Sequence, residues 1–121
     1  YSPLGLAYIG DAVYEIAVRT LVISEGNMSV NKYHKKSSSL VKASAQAGVY
    51  DNIKEKLTDE EAAVYKRGRN AKSATAAKNA SIVEYRMATG VEALIGYLYL
   101  SGRTARALEL IKIGLDVGEN E

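Results

Sequence analysis

The stretch that decides the fold lies near the start of the chain and reads Leu6-Ala7-Tyr8-Ile9-Gly10-Asp11-Ala12-Val13-Tyr14-Glu15. It is an apolar run with helical character, and it carries a carboxylate, Asp11, in its middle. Ionised carboxylates are rarely buried unless they are paired or bind a metal. Two interpretations are open. Either the polar face of an ordinary amphipathic helix passes through Asp11 and Glu15, or Asp11 is a ligand for a divalent cation.

A second stretch has the same character and contains Glu92 as its only charge. It reads Ala88-Thr89-Gly90-Val91-Glu92-Ala93-Leu94-Ile95-Gly96-Tyr97-Leu98-Tyr99-Leu100. Hard cations such as Mg²⁺ bind carboxylate oxygens contributed by different elements of a fold. Two apolar helices, each with one acid near its middle, therefore favour a single Mg²⁺ site shared by Asp11 and Glu92.

The composition indicates one folded domain, which we place at residues 1–121. The chain has no cysteine and one histidine, which excludes disulfides, thiolate metal sites and multi-histidine zinc sites. No apolar run is long enough for a transmembrane helix, and no signal peptide pattern or P-loop is present. We expect a cytoplasmic location.

The spacing of apolar residues predicts an all-α protein with five to seven helices and no strand. Gly90 and Gly96 lie inside a predicted helix, where glycine is unfavourable, and this indicates close helix–helix approach. One helix is expected from about Val30 to Val49, kinked near Ser37–Ser39. Capping signals predict further helix starts at Ser2, Asp51, Thr58 (with Glu61 as a capping box), Asn79 or Ser81, and Thr104.

Positive charge is concentrated in two tracts. The first contains Lys32, His34, Lys35, Lys36 and Lys42; the second contains Lys66, Arg67, Arg69, Asn70, Lys72 and Lys78 and holds no acid. Most lysine runs are solvated helix faces, and cations near a helix C-terminus also suit its dipole. The unbroken sign of the second tract favours contact with a phosphate backbone, and His34 is a candidate for a similar contact.

These segments resemble the ribonuclease III family. Residues 6–13 resemble the signature helix of its catalytic domain, and residues 91–100 resemble its second acidic helix. Two further segments are similar to the variant called mini-ribonuclease III: His34-Lys35-Lys36-Ser37-Ser38 and Lys66-Arg67-Gly68-Arg69-Asn70-Ala71-Lys72-Ser73. The resemblance implies an all-α homodimer that cuts double-stranded RNA with Mg²⁺ in bacterial ribosomal RNA (23S precursor) maturation, without a separate RNA-binding domain.

The resemblance assigns catalytic and metal-binding roles to Asp11 and Glu92. The larger family members carry a Glu where this chain has Ala7 and an Asp where it has Thr89. Half of their four-acid cluster is therefore missing here. Glu15, one turn after Asp11, is either a replacement metal ligand or a solvated or ion-paired carboxylate. Glu84, two turns before Glu92, is open in the same way.

Three functions remain open from the sequence. The first is a Mg²⁺-dependent endoribonuclease for double-stranded RNA, which Asp11 and Glu92 favour. The second is a non-catalytic RNA-binding module that keeps the fold without the chemistry, which Ala7 and Thr89 favour. The third is a plain helical interaction domain, which predicts no affinity for RNA.

Overall fold

The computed structural model describes residues 1–71 and 81–116, and this part of the chain is helical without a strand. It contains α1 (Pro3–Ile23), α2 (Val30–Val41), α3 (Ala43–Ile53), a 3₁₀ turn (Lys54–Lys56), α4 (Asp59–Asn70), α5 (Ile82–Leu100) and α6 (Thr104–Leu115). This confirms the all-α prediction. None of the described helices has the length and hydropathy needed to cross a membrane.

The long helix α5 forms the centre of the domain and packs against α1, α3, α4 and α6. Neighbouring helices cover the middle of α5 on several sides, and eight of its 19 residues are buried. This burial explains why the middle of the helix is apolar all round. The most deeply buried side chains of the core are Tyr14, Val18, Val22, Val49, Ile53, Val91, Leu94, Ile95, Leu98, Leu110 and Ile111.

Helices α1 and α5 touch through their backbones. A Cβ atom at Gly10 would overlap the backbone carbonyl of Glu92, and one at Gly96 would overlap the carbonyl of Leu6. A Cβ at Gly90 would lie 2.6 Å from the ring of Tyr65 on α4. The close approach predicted at Gly90 and Gly96 is therefore confirmed, and Gly10 contributes to it as well.

Two helix starts match their capping signals in full. The Ser2 hydroxyl accepts a hydrogen bond from the Gly5 amide at 3.0 Å and precedes Pro3. Thr58 and Glu61 form both hydrogen bonds of a capping box at the start of α4. Local side-chain chemistry determines these two boundaries.

The predicted helix 30–49 is wrong in two respects. It breaks at Lys42, whose backbone is extended, rather than bending near Ser37–Ser39, and its second part continues past Gly48 to Ile53. Hydrogen bonds from residues outside α2 hold this break. The Tyr14 hydroxyl donates to the Leu40 carbonyl at 3.0 Å and the Gln46 amide donates to the Val41 carbonyl at 2.9 Å.

The other predicted starts are partly corrected. Asp51 lies inside α3, and the segment between α3 and α4 forms a 3₁₀ turn, so no separate α-helix begins at Asp51. Ser81 caps α5, accepting from the Glu84 amide at 3.0 Å, whereas Asn79 lies outside the described residues. Thr104 is the first residue of α6 rather than its cap, which is Arg103.

Two glycine substitutions should have opposite effects on stability, because Gly10 lies in the backbone contact between α1 and α5 and Gly48 does not. Gly10→Ala should lower the free energy of unfolding by more than about 3 kcal/mol, because the clash is with backbone that cannot rotate away. Gly48→Ala meets nothing within 4 Å in α3. It should raise the free energy by about 0.5–1 kcal/mol. Urea unfolding followed by circular dichroism measures both; a well-tolerated Gly10→Ala would contradict the contact.

Candidate functional site

The crossing of α1 and α5 brings Asp11 and Glu92 together. Asp11 is exposed on α1, whereas the Glu92 side chain is largely withdrawn from solvent on α5. The Asp11 carboxyl acts on the Glu92 carboxyl through its charge and through hydrogen-bonding contact. We call these two residues the acid pair. Its Asp11 side chain is open to solvent, whereas its Glu92 side chain is set into the domain.

Burial raises the pKa of Glu92 from its ordinary value of 4.5 to about 7. A hydrogen bond from the Gln46 side-chain amide, at 3.2 Å from Oε2, opposes this rise. The negative charge of Asp11 raises the pKa further. A negative charge on Glu92 is therefore poorly solvated and lies next to the charge of Asp11.

The acid pair has the chemistry of a site for a hard cation. None of the ion pairs within residues 1–71 and 81–116 involves Asp11 or Glu92, so their charge has no protein counter-ion there. Carboxylate oxygens are the ligands that Mg²⁺ prefers. The residues fit such an ion, and Asp11 and Glu92 are the side chains that could hold it.

No third His, Cys, Asp or Glu joins the acid pair in the described part of the chain. The Glu15 carboxylate accepts from the Arg19 guanidinium at 2.9 Å, as an ordinary ion pair one turn apart along α1. Glu84 lies in the first turn of α5. A metal-binding role for Glu15 stays a prediction and requires its carboxylate to leave Arg19.

Ala7 and Thr89 occupy the positions where larger family members carry acids, and both are engaged otherwise. Ala7 is buried in a small apolar cluster with Leu6, Val64 and Ala93. The Thr89 hydroxyl donates to the Tyr85 carbonyl at 3.0 Å, within α5. The site is therefore built on two carboxylates rather than four.

The described basic residues of the second tract lie in the last turns of α4. We call Lys66, Arg67, Arg69 and Asn70 the α4 basic tract. The first two are exposed, and Arg69 lies over the Tyr65 ring at 6.0 Å. In the middle of this tract, Gly68 packs on Ala93, the neighbour of Glu92. Lys72 and Lys78, the remaining predicted RNA contacts of this tract, lie outside the described residues.

A second group of basic residues lies on α2. His34, Lys35 and Lys36, the α2 basic tract, are all exposed, and Lys36 also forms an ion pair with Glu25. Helix α2 ends against the site, because Gln46 binds both its last carbonyl and Glu92. The α2 basic tract thus lies on a helix whose C-terminal end adjoins Glu92 through Gln46, and the α4 basic tract lies on a helix that packs against α5.

An apolar groove of about 590 Å³ lies on the other side of α1. Among the apolar side chains of α1, Leu6 is buried, but Ile16 is 67% exposed. The groove is lined by Ile9, Ala12, Val13, Ile16, Ala17, Thr20, Leu21, Tyr99, Thr104, Leu108, Ile111 and Lys112. An apolar surface of this kind favours a protein partner.

Sequence reasoning missed Gln46, which contacts one member of the acid pair. Its only local signal is that it is a long polar side chain within the run Ala43-Ser44-Ala45-Gln46-Ala47. Such a residue on a helix is most often solvated, and nothing nearby in the sequence points to a partner 46 positions away.

The raised pKa of Glu92 predicts how stability depends on pH when no metal is present. Between pH 4.5 and 7 the folded protein keeps a proton on Glu92 that the unfolded chain has lost. Unfolding therefore releases a proton, and stability falls as pH rises. Glu92→Gln should remove this fall and raise the free energy of unfolding at about pH 8 by roughly 2–3 kcal/mol.

Urea titrations in chelator at several pH values test this expectation, with Glu55→Gln on the exposed 3₁₀ turn as the matched control. Identical pH profiles for Glu92→Gln and the unmodified protein would contradict it.

Comparison with known proteins identifies the family. Residues 4–103 match the model of the ribonuclease III domain. The chain is 54% identical over 119 residues to Mini-ribonuclease 3 of Clostridium tetani, covering 98% of this chain and 79% of that protein. It is 48% identical to Mini-ribonuclease 3 of Brevibacillus brevis, covering 99% and 90%.

A crystal structure of a protein from Fusobacterium nucleatum has the same fold. It superposes with a TM-score of 0.86 at 31% identity, covering 96% of this chain and 93% of that one. Together with the family match and the curated relatives, this establishes that the chain belongs to the ribonuclease III family.

Proposed function

We propose that residues 1–121 form a catalytic domain that hydrolyses phosphodiester bonds in double-stranded RNA with Mg²⁺, as a cytoplasmic homodimer. The observation that carries this proposal is the meeting of Asp11 and Glu92 at the crossing of α1 and α5, where neither carboxyl has a counter-ion among residues 1–71 and 81–116. Relatives that are 43–54% identical bear the name Mini-ribonuclease 3. The resemblance to mini-ribonuclease III further supports binding and processing of ribosomal RNA precursors as the role in ribosome biogenesis.

Asp11 and Glu92 would hold the ion from two sides. When bound, Mg²⁺ supplies Lewis-acid chemistry: it lowers the pKa of a water and offsets charge on the leaving oxygen. Asp11, being exposed, faces the side from which RNA must arrive. Glu92, being largely buried, anchors the site to the core, and Glu15 is the proposed source of a further oxygen.

The two basic tracts support binding of the phosphate backbone. Lys66 and Arg67 are exposed on α4, which packs against α5, and His34 and Lys35 are exposed on α2, whose last carbonyl binds Gln46. Side chains cannot read bases in the narrow major groove of A-form RNA, so recognition would follow duplex shape and phosphate positions. We therefore expect binding that weakens steeply with salt. Arg69, Asn70, Lys36, Lys72 and Lys78 are proposed as further contacts.

A second copy of the chain is the proposed occupant of the apolar groove. The groove runs along the exposed side of α1, the helix that carries Asp11, and this side displays Ile16 to solvent. The strands of a duplex are related by approximate two-fold symmetry, and a C2 dimer would present one acid pair to each strand. Symmetry thus connects an apolar surface on α1 with the chemistry on its opposite side.

A non-catalytic RNA-binding module is the second candidate. The replacement of two acids by Ala7 and Thr89 favours it, since the site keeps only two carboxylates. The retained pair favours catalysis, because a module selected only for binding RNA would gain nothing from unpaired negative charge next to phosphates.

Asp11→Asn should abolish cleavage of duplex RNA in Mg²⁺ while leaving the fold intact. We expect a loss of more than about 100-fold, because losing a ligand exceeds the roughly 10–100-fold cost of losing a group that supports a ligand. Asp51→Asn, the same change at an exposed position of α3, should cleave normally. Equal cleavage by both variants would refute the site. Duplex binding without cleavage by the unmodified protein would favour the binding module.

Ile16→Lys should convert the dimer into a monomer, because a charged side chain in the apolar groove cannot be solvated once a second copy covers it. Sedimentation velocity measures the change. Ile82→Lys, at an apolar position of α5 that is 59% exposed and outside the groove, is the matched control and should remain dimeric. A monomeric unmodified protein, or a dimeric Ile16→Lys protein, would contradict the proposed interface.

A further inference from the structure

We infer that Gln46 is a positioning residue for the acid pair: its side-chain amide holds the Glu92 carboxylate in the orientation that lets Glu92 and Asp11 bind one divalent cation. The inference rests on the proposed function, since it assigns Gln46 a role in the same metal site. It concerns a residue of α3, a helix that contributes no acid to the site.

The geometry of Gln46 is specific. The side chain is 3% exposed, and its Nε2 donates to two acceptors, the Val41 carbonyl at 2.9 Å and Glu92 Oε2 at 3.2 Å. Both hydrogens of the amide nitrogen are therefore used. Because a carbonyl and a carboxylate can only accept, the nitrogen has to face them, and this determines which way the amide points.

The other end of the amide supports the same interpretation. Gln46 Oε1 is buried and has no hydrogen-bond partner within the described residues. Buried acceptors are normally paired, and leaving one unpaired is costly. An apolar side chain of similar size would avoid this cost at a position surrounded by core. What the glutamine supplies in return is the donor that reaches Glu92.

A neutral donor suits a metal site better than a charged one. A lysine or arginine at this position would form an ion pair with Glu92 and compete with the incoming cation. The Gln46 amide instead binds one carboxylate oxygen without neutralising it, so the negative charge stays available to a metal. Hydrogen bonds of this kind to ligating carboxylates orient them and support metal affinity.

A purely structural role for Gln46 is the competing explanation, because the same amide also caps the last carbonyl of α2. The chain offers a matched control for this role. Tyr14 donates to the preceding carbonyl, Leu40, at 3.0 Å, and thus holds the same helix end without a hydrogen bond to Glu92. Loss of the Tyr14 hydroxyl loosens the end of α2 in a similar way.

The test compares Gln46→Met with Tyr14→Phe. Methionine keeps the length of the side chain and removes both donors. Binding of Mn²⁺, a paramagnetic ion that takes the same oxygen ligands as Mg²⁺, is measured by the electron paramagnetic resonance signal of the free ion. We expect Gln46→Met to weaken Mn²⁺ binding by about 10-fold or more, whereas Tyr14→Phe stays within about twofold of the unmodified protein.

A second readout needs no mutation and serves if Gln46→Met fails to fold. In ¹⁵N-labelled protein, the side-chain amide signals of Gln46 should shift on addition of Mg²⁺. Those of Asn52, which donates from the same helix to the Gly114 carbonyl at 2.9 Å, should not. Unchanged Gln46 signals at saturating Mg²⁺ would overturn the inference, as would normal Mn²⁺ binding by Gln46→Met or equal loss in Tyr14→Phe.

Failure of the proposed function gives a different result. An unmodified protein that neither binds Mn²⁺ nor cleaves duplex RNA would overturn both proposals. An unmodified protein that does both, beside a Gln46→Met variant with normal Mn²⁺ affinity, would overturn the positioning role alone.

Discussion

Where α1 crosses α5, two glycines let the helix backbones touch, and the positions of both acidic side chains follow from that contact. Gly10 immediately precedes Asp11, and the carbonyl it packs against belongs to Glu92. A side chain at either glycine would push the helices apart, and the two carboxylates could not make up for that separation. The glycines therefore serve the chemistry as much as the packing, because they bring two acids from distant parts of the chain to one place.

Bringing the acids together has an electrostatic cost, and no lysine or arginine in the described part of the chain relieves it by an ion pair. Burial and the nearby Asp11 raise the pKa of Glu92, and the neutral amide of Gln46 opposes this effect. The other strongly buried glutamate of the described residues is satisfied in a different way. Glu61 is 2% exposed but receives two hydrogen bonds of 2.9 Å from Arg106. The contrast between these two glutamates separates a structural carboxylate from one that has the character of a metal ligand.

Positive and negative charges are kept apart around the acid pair. Lysines and arginines lie on α2 and α4, and none of them forms an ion pair with Asp11 or Glu92 in the described residues. If one of them paired with Glu92, the negative charge that attracts a divalent ion would be lost. Apolar side chains occupy the other side of α1, so a single helix presents chemistry in one direction and a candidate interface in another.

Much of this molecule could be predicted from the sequence because the signals are local. The Ser2 cap, the Thr58–Glu61 capping box and the positive φ of Gly102 after α5 depend only on residues a few positions apart. The acids in the middle of two apolar runs are equally visible, as are Gly90 and Gly96 in the second run. The family resemblance follows from the same segments.

Tertiary structure decided what depends on distant partners. The helix break at Lys42 and the role of Gln46 arise from hydrogen bonds that join α2, α3, α1 and α5. The spacing of Ile9, Val13 and Ile16 predicted a helix but could not tell a core face from an exposed groove, because both have the same apolar period. Only the packing of α5 against the neighbouring stripe of α1 determines which of these side chains remain open to solvent, and so which surface is left for a partner.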